Sequence, residues 1–255
     1  MVTPMFSIIT VVFNDKDHIE ETILSVIDQN FTDYEYIIID GGSTDGTLEL
    51  ISIYKDKIDF IISEKDSGIY DAMNKGINVA NGNWINFLNS GDFFTNCNIL
   101  ENIAKYTTRE FNFIYGDVLV KLKNEVKYLE SKKFDLKNLL IWNTRLFCHQ
   151  STFTKREILD FFDTSYSLKS ELNQYFELLN KDLCYKQIKI PIVNFRQGGI
   201  GEQKFLKNNF ESLKVIYNRV GIKVLISVPI HLYSILITTW QNLLILLHLK
   251  TQEEH

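Results

Sequence analysis

Two rhythms of apolar residues alternate along the first part of the chain. Phe6 to Phe13 (FSIITVVF) is a continuous β-branched run, the pattern of a strand buried on both faces of a parallel sheet. Asn14-Asp15-Lys16-Asp17 breaks it. Ile19, Ile23, Val26 and Ile27 then recur at helical spacing, with Asp17 and Glu20 placed as an N-cap and its capping-box partner. YEYIIID (34–40) reads as a second buried strand, GGSTDG (41–46) as a turn, and Thr47 to Tyr54 as a second helix. IDFIISEKD supplies a shorter third strand, and Tyr70 to Val79 a helix stopping at Asn81-Gly82. WINFLNSGDFF (84–94) opens as a fourth buried strand and halts at Asn89-Ser90-Gly91-Asp92. This strand–helix alternation predicts an α/β fold: a wound, Rossmann-like, mostly parallel sheet with right-handed crossovers, flanked by helices.

Such sheets bind ligands beyond the carboxyl ends of their strands. Asn14, Asp15, Asp40 and Asp92 fall at that edge, and the third strand runs into Asp66. Asp17 and Asp45 read as caps of the helices that follow them. Asp40 is different, because Gly41-Gly42 leaves room for something to approach the backbone, and Asp92 follows a glycine with no amphipathic helix after it. The first turn has no glycine-rich dinucleotide fingerprint, GGSTDG has the wrong spacing, and no P-loop is present. A diphosphate near several acids then calls for a divalent cation.

With 255 residues, 45% of them hydrophobic, the chain can bury a sizeable core. A net charge of -5 without a basic run argues against nucleic-acid binding. Cys97, Cys148 and Cys184 lie far apart, which suggests neither a zinc knuckle nor a disulfide framework and fits a reducing cytosol. The amino-terminal apolar run has no basic region before it and is too short for a signal peptide.

SIITVVFN (7–14), IIIDGGSTDGT (37–47), EKDSGIYDAMNKGINVANGNWINFLNSGD (64–92), HQSTF (149–153) and RQGGIG (196–201) together resemble the successive motifs of family 2 glycosyltransferases with the GT-A fold, nearest the bacterial surface-polysaccharide type. The match is dense over 1–92, thinner to 201 and absent beyond. The resemblance implies an inverting transfer from a nucleotide-sugar donor, a UDP-sugar by preference, to a saccharide or polyprenyl-diphosphate-linked saccharide, with Mn²⁺ or Mg²⁺ as cofactor. It implies that Thr10, Val12 and Phe13 frame the nucleobase and that Asp40 accepts from its ring N–H. Asp66, Asp71, Asn74 and Lys75, with Ser90 and Gly91, would line the donor sugar and diphosphate. The family's metal motif is D-x-D followed by a further Asp; here it reads Asn89-Ser90-Gly91-Asp92, so Asp92 is the surviving carboxylate ligand, with the Asn89 carbonyl in support. His149 and Gln150 fall in the acceptor-side motif, and Arg196, Gly198, Gly199 and Gly201 in a loop over the donor. A sugar-phosphate nucleotidyltransferase would need a glycine-rich, basic first turn, which is missing; a membrane-attached nucleotide-sugar binder that has lost catalysis is the other alternative.

An inverting displacement needs a base for the acceptor hydroxyl. Leu168, Leu172, Tyr175, Phe176 and Leu179 form a helical stripe with Glu171 on its edge, where an apolar setting raises a carboxylate's pKa. The segment resembles the family's base-bearing helix, and Glu171 is the expected catalytic base, ahead of Asp163 and Glu177. From Val224 to Leu249 no Asp, Glu, Lys or Arg occurs, but Pro229, His231, Gln241 and Asn242 interrupt the run, and Tyr233 and Trp240 suit an interface. The preferred reading is an in-plane, lipid-touching helical tail, against a spanning segment or packing within the chain or a homodimer. The expected organisation is a GT-A domain over 1–201, with a nucleotide-sugar half (1–92) and an acceptor half (93–201), and a helical tail over 202–255 that places the protein peripherally on the inner face of the cytoplasmic membrane.

Overall fold

The computed structural model describes residues 3–122, 125–142, 146–196, 204–233 and 236. Its first half alternates β1 (Phe6–Val12), α1 (Ile19–Ile27), β2 (Tyr34–Asp40), α2 (Thr47–Ile53), β3 (Phe60–Ser63), α3 (Ile69–Val79) and β4 (Trp84–Phe87). The second half holds β5 (Phe93–Phe94), α4 (Ile99–Ala104), β6 (Phe113–Lys121), β7 (Val126–Leu129), α5 (Leu136–Trp142), β8 (Thr152–Lys155), α6 (Ser170–Leu179), β9 (Tyr185–Arg196) and α7 (Phe205–Val220). All described strands join one sheet, in the order β3-β2-β1-β4-β8-β6-β9-β5, with β7 paired to β6.

The half expected to be parallel is parallel: β1 pairs with β2 and β4, and β2 with β3. Beyond β4 the sheet is mixed, with β8 antiparallel to both β4 and β6, and β9 parallel to β6. Every residue of β1 is buried because helices cover both faces. Phe6, Ile8 and Val12 pack with Ile19, Ile23 and Val26 of α1, whereas Ile9 and Val11 point the other way, onto Tyr70, Met73 and Ile77 of α3. Gly76 lets α3 approach closely, since a Cβ there would lie 2.5 Å from Ile9 Cγ2. A separate cluster joins Phe113 and Tyr115 of β6 to Leu172, Tyr175 and Phe176 of α6 and Val215 and Ile216 of α7.

One local expectation changes and another holds. The cap of α1 is His18, without a side-chain cap bond; Asp15 main-chain O accepts from His18 and Ile19 N–H instead, so Asp17 has no capping role. Asp45 does serve the start of α2, accepting from Thr47 N–H (3.0 Å) and Thr47 Oγ1. No helix among the described residues is long and apolar enough to cross a membrane. The run from Val224 begins in a 3-10 turn (Gly221–Ile226), and two polar groups anchor it: Ser227 Oγ donates to Leu140 O (2.5 Å), and His231 Nδ1 lies 2.7 Å from Asn209 Oδ1. Trp240, Gln241 and Asn242 lie outside the described residues.

Candidate active site

The parallel register puts the carboxyl ends of β1, β2 and β4 side by side: Val12 pairs with Asp40, and Ser90 N–H reaches Val11 O at 3.1 Å. A hydrogen-bonded chain runs along this edge. Asn14 N–H donates to Ser43 Oγ (2.8 Å), Thr44 N–H to Asn14 Oδ1 (2.8 Å), Asp15 N–H to Thr47 Oγ1 (2.9 Å) and Ser90 Oγ–H to Asp15 Oδ2 (2.6 Å). Asn14 meets it at φ 49°, a left-handed conformation that asparagine tolerates better than most residues. Asp40 and Asp92 therefore share one rim.

Not every predicted donor residue faces outward. Thr10 is fully buried with Oγ1 3.1 Å from Tyr36 Oη, and Val12 is buried, so neither frames a ligand surface; Phe13 alone of the three is open, at 62% exposure. Asp40 is also fully buried. Ser43 Oγ (2.5 Å) and Ser43 N–H donate to Oδ1, and Ser63 Oγ (2.6 Å) to Oδ2, so its carboxylate holds the turn rather than awaiting a base. Asn74 clamps Phe162 through two bonds, Nδ2 to O (2.9 Å) and N–H to Oδ1 (2.8 Å). Lys75 Nζ reaches Glu64 Oε1 (2.9 Å) and Lys65 O (3.0 Å), and Glu64 chiefly holds its pKa above the ordinary value. It therefore pins the 64–71 loop with two of its three N–H donors. That loop is fixed at two further points, Gly68 N–H on Asp66 Oδ1 and Ser67 N–H on Asp71 Oδ2, both 2.9 Å.

Asp92 is 5% exposed. Arg196 N–H donates to its Oδ1 (2.9 Å) and Gln150 Nε2 to its Oδ2 (2.6 Å), so it joins the end of β9 to the turn before β8. Burial pushes its pKa up to about 7, against the Arg196 and Gln150 hydrogen bonds, which lower it. Asn89 Nδ2 lies 3.1 Å from His149 Nε2, and its buried Oδ1 has no hydrogen-bond partner. Gly91 adopts φ 89° beside Asp15 and His18. For a divalent cation this edge offers the orphaned Asn89 carbonyl and the carboxylates of Asp92, held by Gln150, and Asp15, held by Ser90 and His18. Among the described residues no three His, Cys, Asp or Glu side chains cluster as a metal centre. That donor set fits only a cation that takes most of its ligands from phosphate and water.

The 148–151 turn connects this edge to α6. His149 is held neutral by burial, with its pKa lowered to about 4, and the nearby Lys169 lowers it further. Glu171, in the first turn of α6, has a buried Oε2 without a partner; burial raises its pKa to about 8, and the Glu211 charge adds to the rise. The Tyr175 hydroxyl, one turn on, is likewise buried and unpaired, and burial, Glu171 and Cys148 all raise its pKa. Sequence reading placed Tyr175 only on the apolar stripe; its spacing of four from Glu171 was the available signal. His18 and Asn86 were missed as well. His18 Nδ1 lies 2.5 Å from Asp15 Oδ1, and Asn86 Nδ2 bonds Gln150 O and Thr152 O (both 2.8 Å), orienting the turn from inside β4. Glu177 is tied to Arg219, and Asp163 accepts from Ser165 N–H at 2.9 Å, with Ser165 chiefly holding its pKa below the ordinary value. Arg196 pairs with Glu21 (2.6 Å), while Gly198, Gly199 and Gly201 lie outside the described residues.

Residues 7–173 match the family model described as glycosyl transferase family 2. A relative from Mycobacterium tuberculosis, named as a PGL/p-HBAD biosynthesis glycosyltransferase, is 27% identical over 235 residues, covering 89% of this chain and 90% of its own. A putative teichuronic acid biosynthesis glycosyltransferase of Bacillus subtilis is 39% identical over 92 residues, 35% of this chain and 36% of its own. Among solved structures, S. aureus TarS 1–349 in complex with UDP superposes with a TM-score of 0.65 at 16% identity, over 84% of this chain and 66% of that one. With the wound sheet and its polar edge, these matches place the chain in glycosyl transferase family 2, as a glycosyltransferase of the GT-A fold.

Proposed function

We propose that the protein transfers a sugar, with inversion, from a nucleoside diphosphate sugar of the uridine or thymidine type to a saccharide or lipid-linked saccharide during surface-polysaccharide synthesis. The observation that carries this reading is Glu171: a carboxylate whose Oε2 is buried without a hydrogen-bond partner and whose pKa of about 8 suits proton abstraction near neutrality. Glu171 takes the acceptor hydroxyl proton, the acceptor oxygen forms its bond to the anomeric carbon, and the bond from that carbon to the diphosphate oxygen breaks in the same displacement. Neutral His149, bonded to Asn89, and Gln150, bonded to Asp92, orient the wall between donor and acceptor. A divalent cation, when bound, would neutralise charge on the leaving diphosphate; Asn89 Oδ1 and Asp92 are the residues that would hold it. The names of the mycobacterial and B. subtilis relatives support a cell-envelope acceptor.

The tail favours a membrane-side location. Ile222, Leu225, Ile226, Leu232, Tyr233 and Leu236 are all more than half exposed, and exposed Lys204, Lys207, Lys214 and Lys223 lie on α7 or next to its ends. Apolar side chains beside lysines suit an anionic bilayer surface. The test of the donor reading is a thermal-shift panel of nucleotide sugars with and without Mn²⁺. A uridine or thymidine diphosphate sugar raises the melting point, since a ligand of the folded state stabilises it; no response to any nucleotide would overturn the reading.

A further inference from the structure

A donor site of this kind must read its nucleobase, and Asp40 has no free oxygen with which to do so. The neighbouring position is more informative. A Cβ on Gly41 would overlap Asp66 Oδ2 and would lie 3.3 Å from Phe13 Cδ2. The Asp66 carboxylate thus stands where a side chain of residue 41 would begin, reached from the far end of β3 instead of from β2. Gly41 N–H is already spent on Val12 O (2.9 Å), so the backbone there is fixed, and Gly68 N–H holds Asp66 through Oδ1 (2.9 Å), which leaves Oδ2 on the Gly41 side. Beside it lies the Phe13 ring, 62% exposed although it directly follows a strand that is buried throughout.

A flat apolar face next to a carboxylate edge has a definite chemical preference. The ring offers stacking to any base, as aromatic platforms do. The carboxylate only accepts, so it bonds a base carrying a ring N–H and repels the lone pair of one with a bare ring nitrogen at that place. Uracil and thymine present N3–H; cytosine presents an unprotonated N3. We propose that Asp66, with Phe13 as the stacking platform, is the residue that selects a uracil or thymine nucleotide over a cytosine one. This rests on the donor reading above. It gives Asp40 the separate task of holding the turn that keeps residue 41 in place.

The experiment is calorimetric titration of UDP, dTDP and CDP into wild type, Asp66→Asn, Asp40→Asn and Gly41→Ala, with the melting point of each unliganded variant recorded. An asparagine can keep its Oδ1 on Gly68 N–H and turn an N–H₂ donor toward the base. Asp66→Asn is therefore expected to lose at least about tenfold in UDP affinity and to gain for CDP, reversing the preference with little change in melting point. Gly41→Ala keeps the carboxylate but displaces it, and is expected to weaken UDP by a similar factor. An unchanged UDP-to-CDP ratio in Asp66→Asn, or a ratio that changes in Asp40→Asn instead, would overturn the assignment while leaving the donor reading intact. Failure of all three nucleotides to bind wild type would overturn the donor reading, and this assignment with it.

Discussion

Glu171 and Tyr175 sit one turn apart on α6, and each ends in a buried oxygen that no hydrogen bond satisfies. Stability alone does not favour such a pair, because unpaired buried polar atoms cost about 1–3 kcal/mol each. Removing the hydroxyl in Tyr175→Phe is therefore expected to leave the melting point unchanged or raised. A fall of several degrees, read by differential scanning fluorimetry, would show that the hydroxyl has a structural partner.

The raised pKa of Glu171 has a consequence for stability. Its ordinary value is 4.5 and its folded value about 8, so between them the folded chain holds a proton that the unfolded chain releases. The stability this site contributes is complete below the ordinary value and is lost as pH rises through the folded one. Glu171→Gln cannot ionise, so its melting point relative to wild type should climb between about pH 5 and about pH 9. A constant difference would mean that the carboxyl titrates normally.

Catalysis should carry the opposite pH signature. Only the ionised carboxylate accepts a proton, so kcat/KM should rise with an apparent pKa near 8. His149, held near 4, stays neutral across that range and contributes no limb. A profile with its inflection near 6.5–7 would point instead to His149 at its ordinary value or to Asp92, which burial raises to about 7.

Asp40→Ala should act on the fold more than on chemistry. It strips the partner of Ser43 N–H, Ser43 Oγ and Ser63 Oγ, three donors that converge on one fully buried carboxylate, a loss of about 1–3 kcal/mol. Denaturant titration should show a lowered midpoint; a midpoint equal to wild type would return Asp40 to the candidates for ligand contact.

The first half of the fold was legible because its signals are local. Ile9 and Ile8 face opposite helices and still read as one buried run, and α3 announces itself by Tyr70, Met73 and Ile77. The mixed half was not, since β6 and β9 pair across more than sixty intervening residues and β8 enters between β4 and β6 against their direction. At the site, sequence located the acids but not their partners. Asp40 and Asp92 both lie at the expected edge, yet what occupies their oxygens comes from Ser43, Ser63, Gln150 and the Arg196 backbone, contacts that chain spacing does not encode. The Lys75 ammonium likewise meets Glu64 and the Lys65 carbonyl, partners that its place on the helix does not announce. The unusual setting of Glu171 was legible because a carboxylate on an apolar stripe is a local contradiction, visible in one helix.

The central claim is that Glu171 is the base of a sugar transfer, and acceptor-dependent release of nucleoside diphosphate tests it most directly. A panel of nucleotide sugars would be offered to wild type and Glu171→Gln with membrane-extracted lipid-linked saccharides as acceptors. Wild type should release diphosphate from a uridine or thymidine donor, and Glu171→Gln should bind that donor equally well while turning it over ~10²-fold or more slowly. Equal release by both proteins, or none from any donor with wild type, would contradict the account.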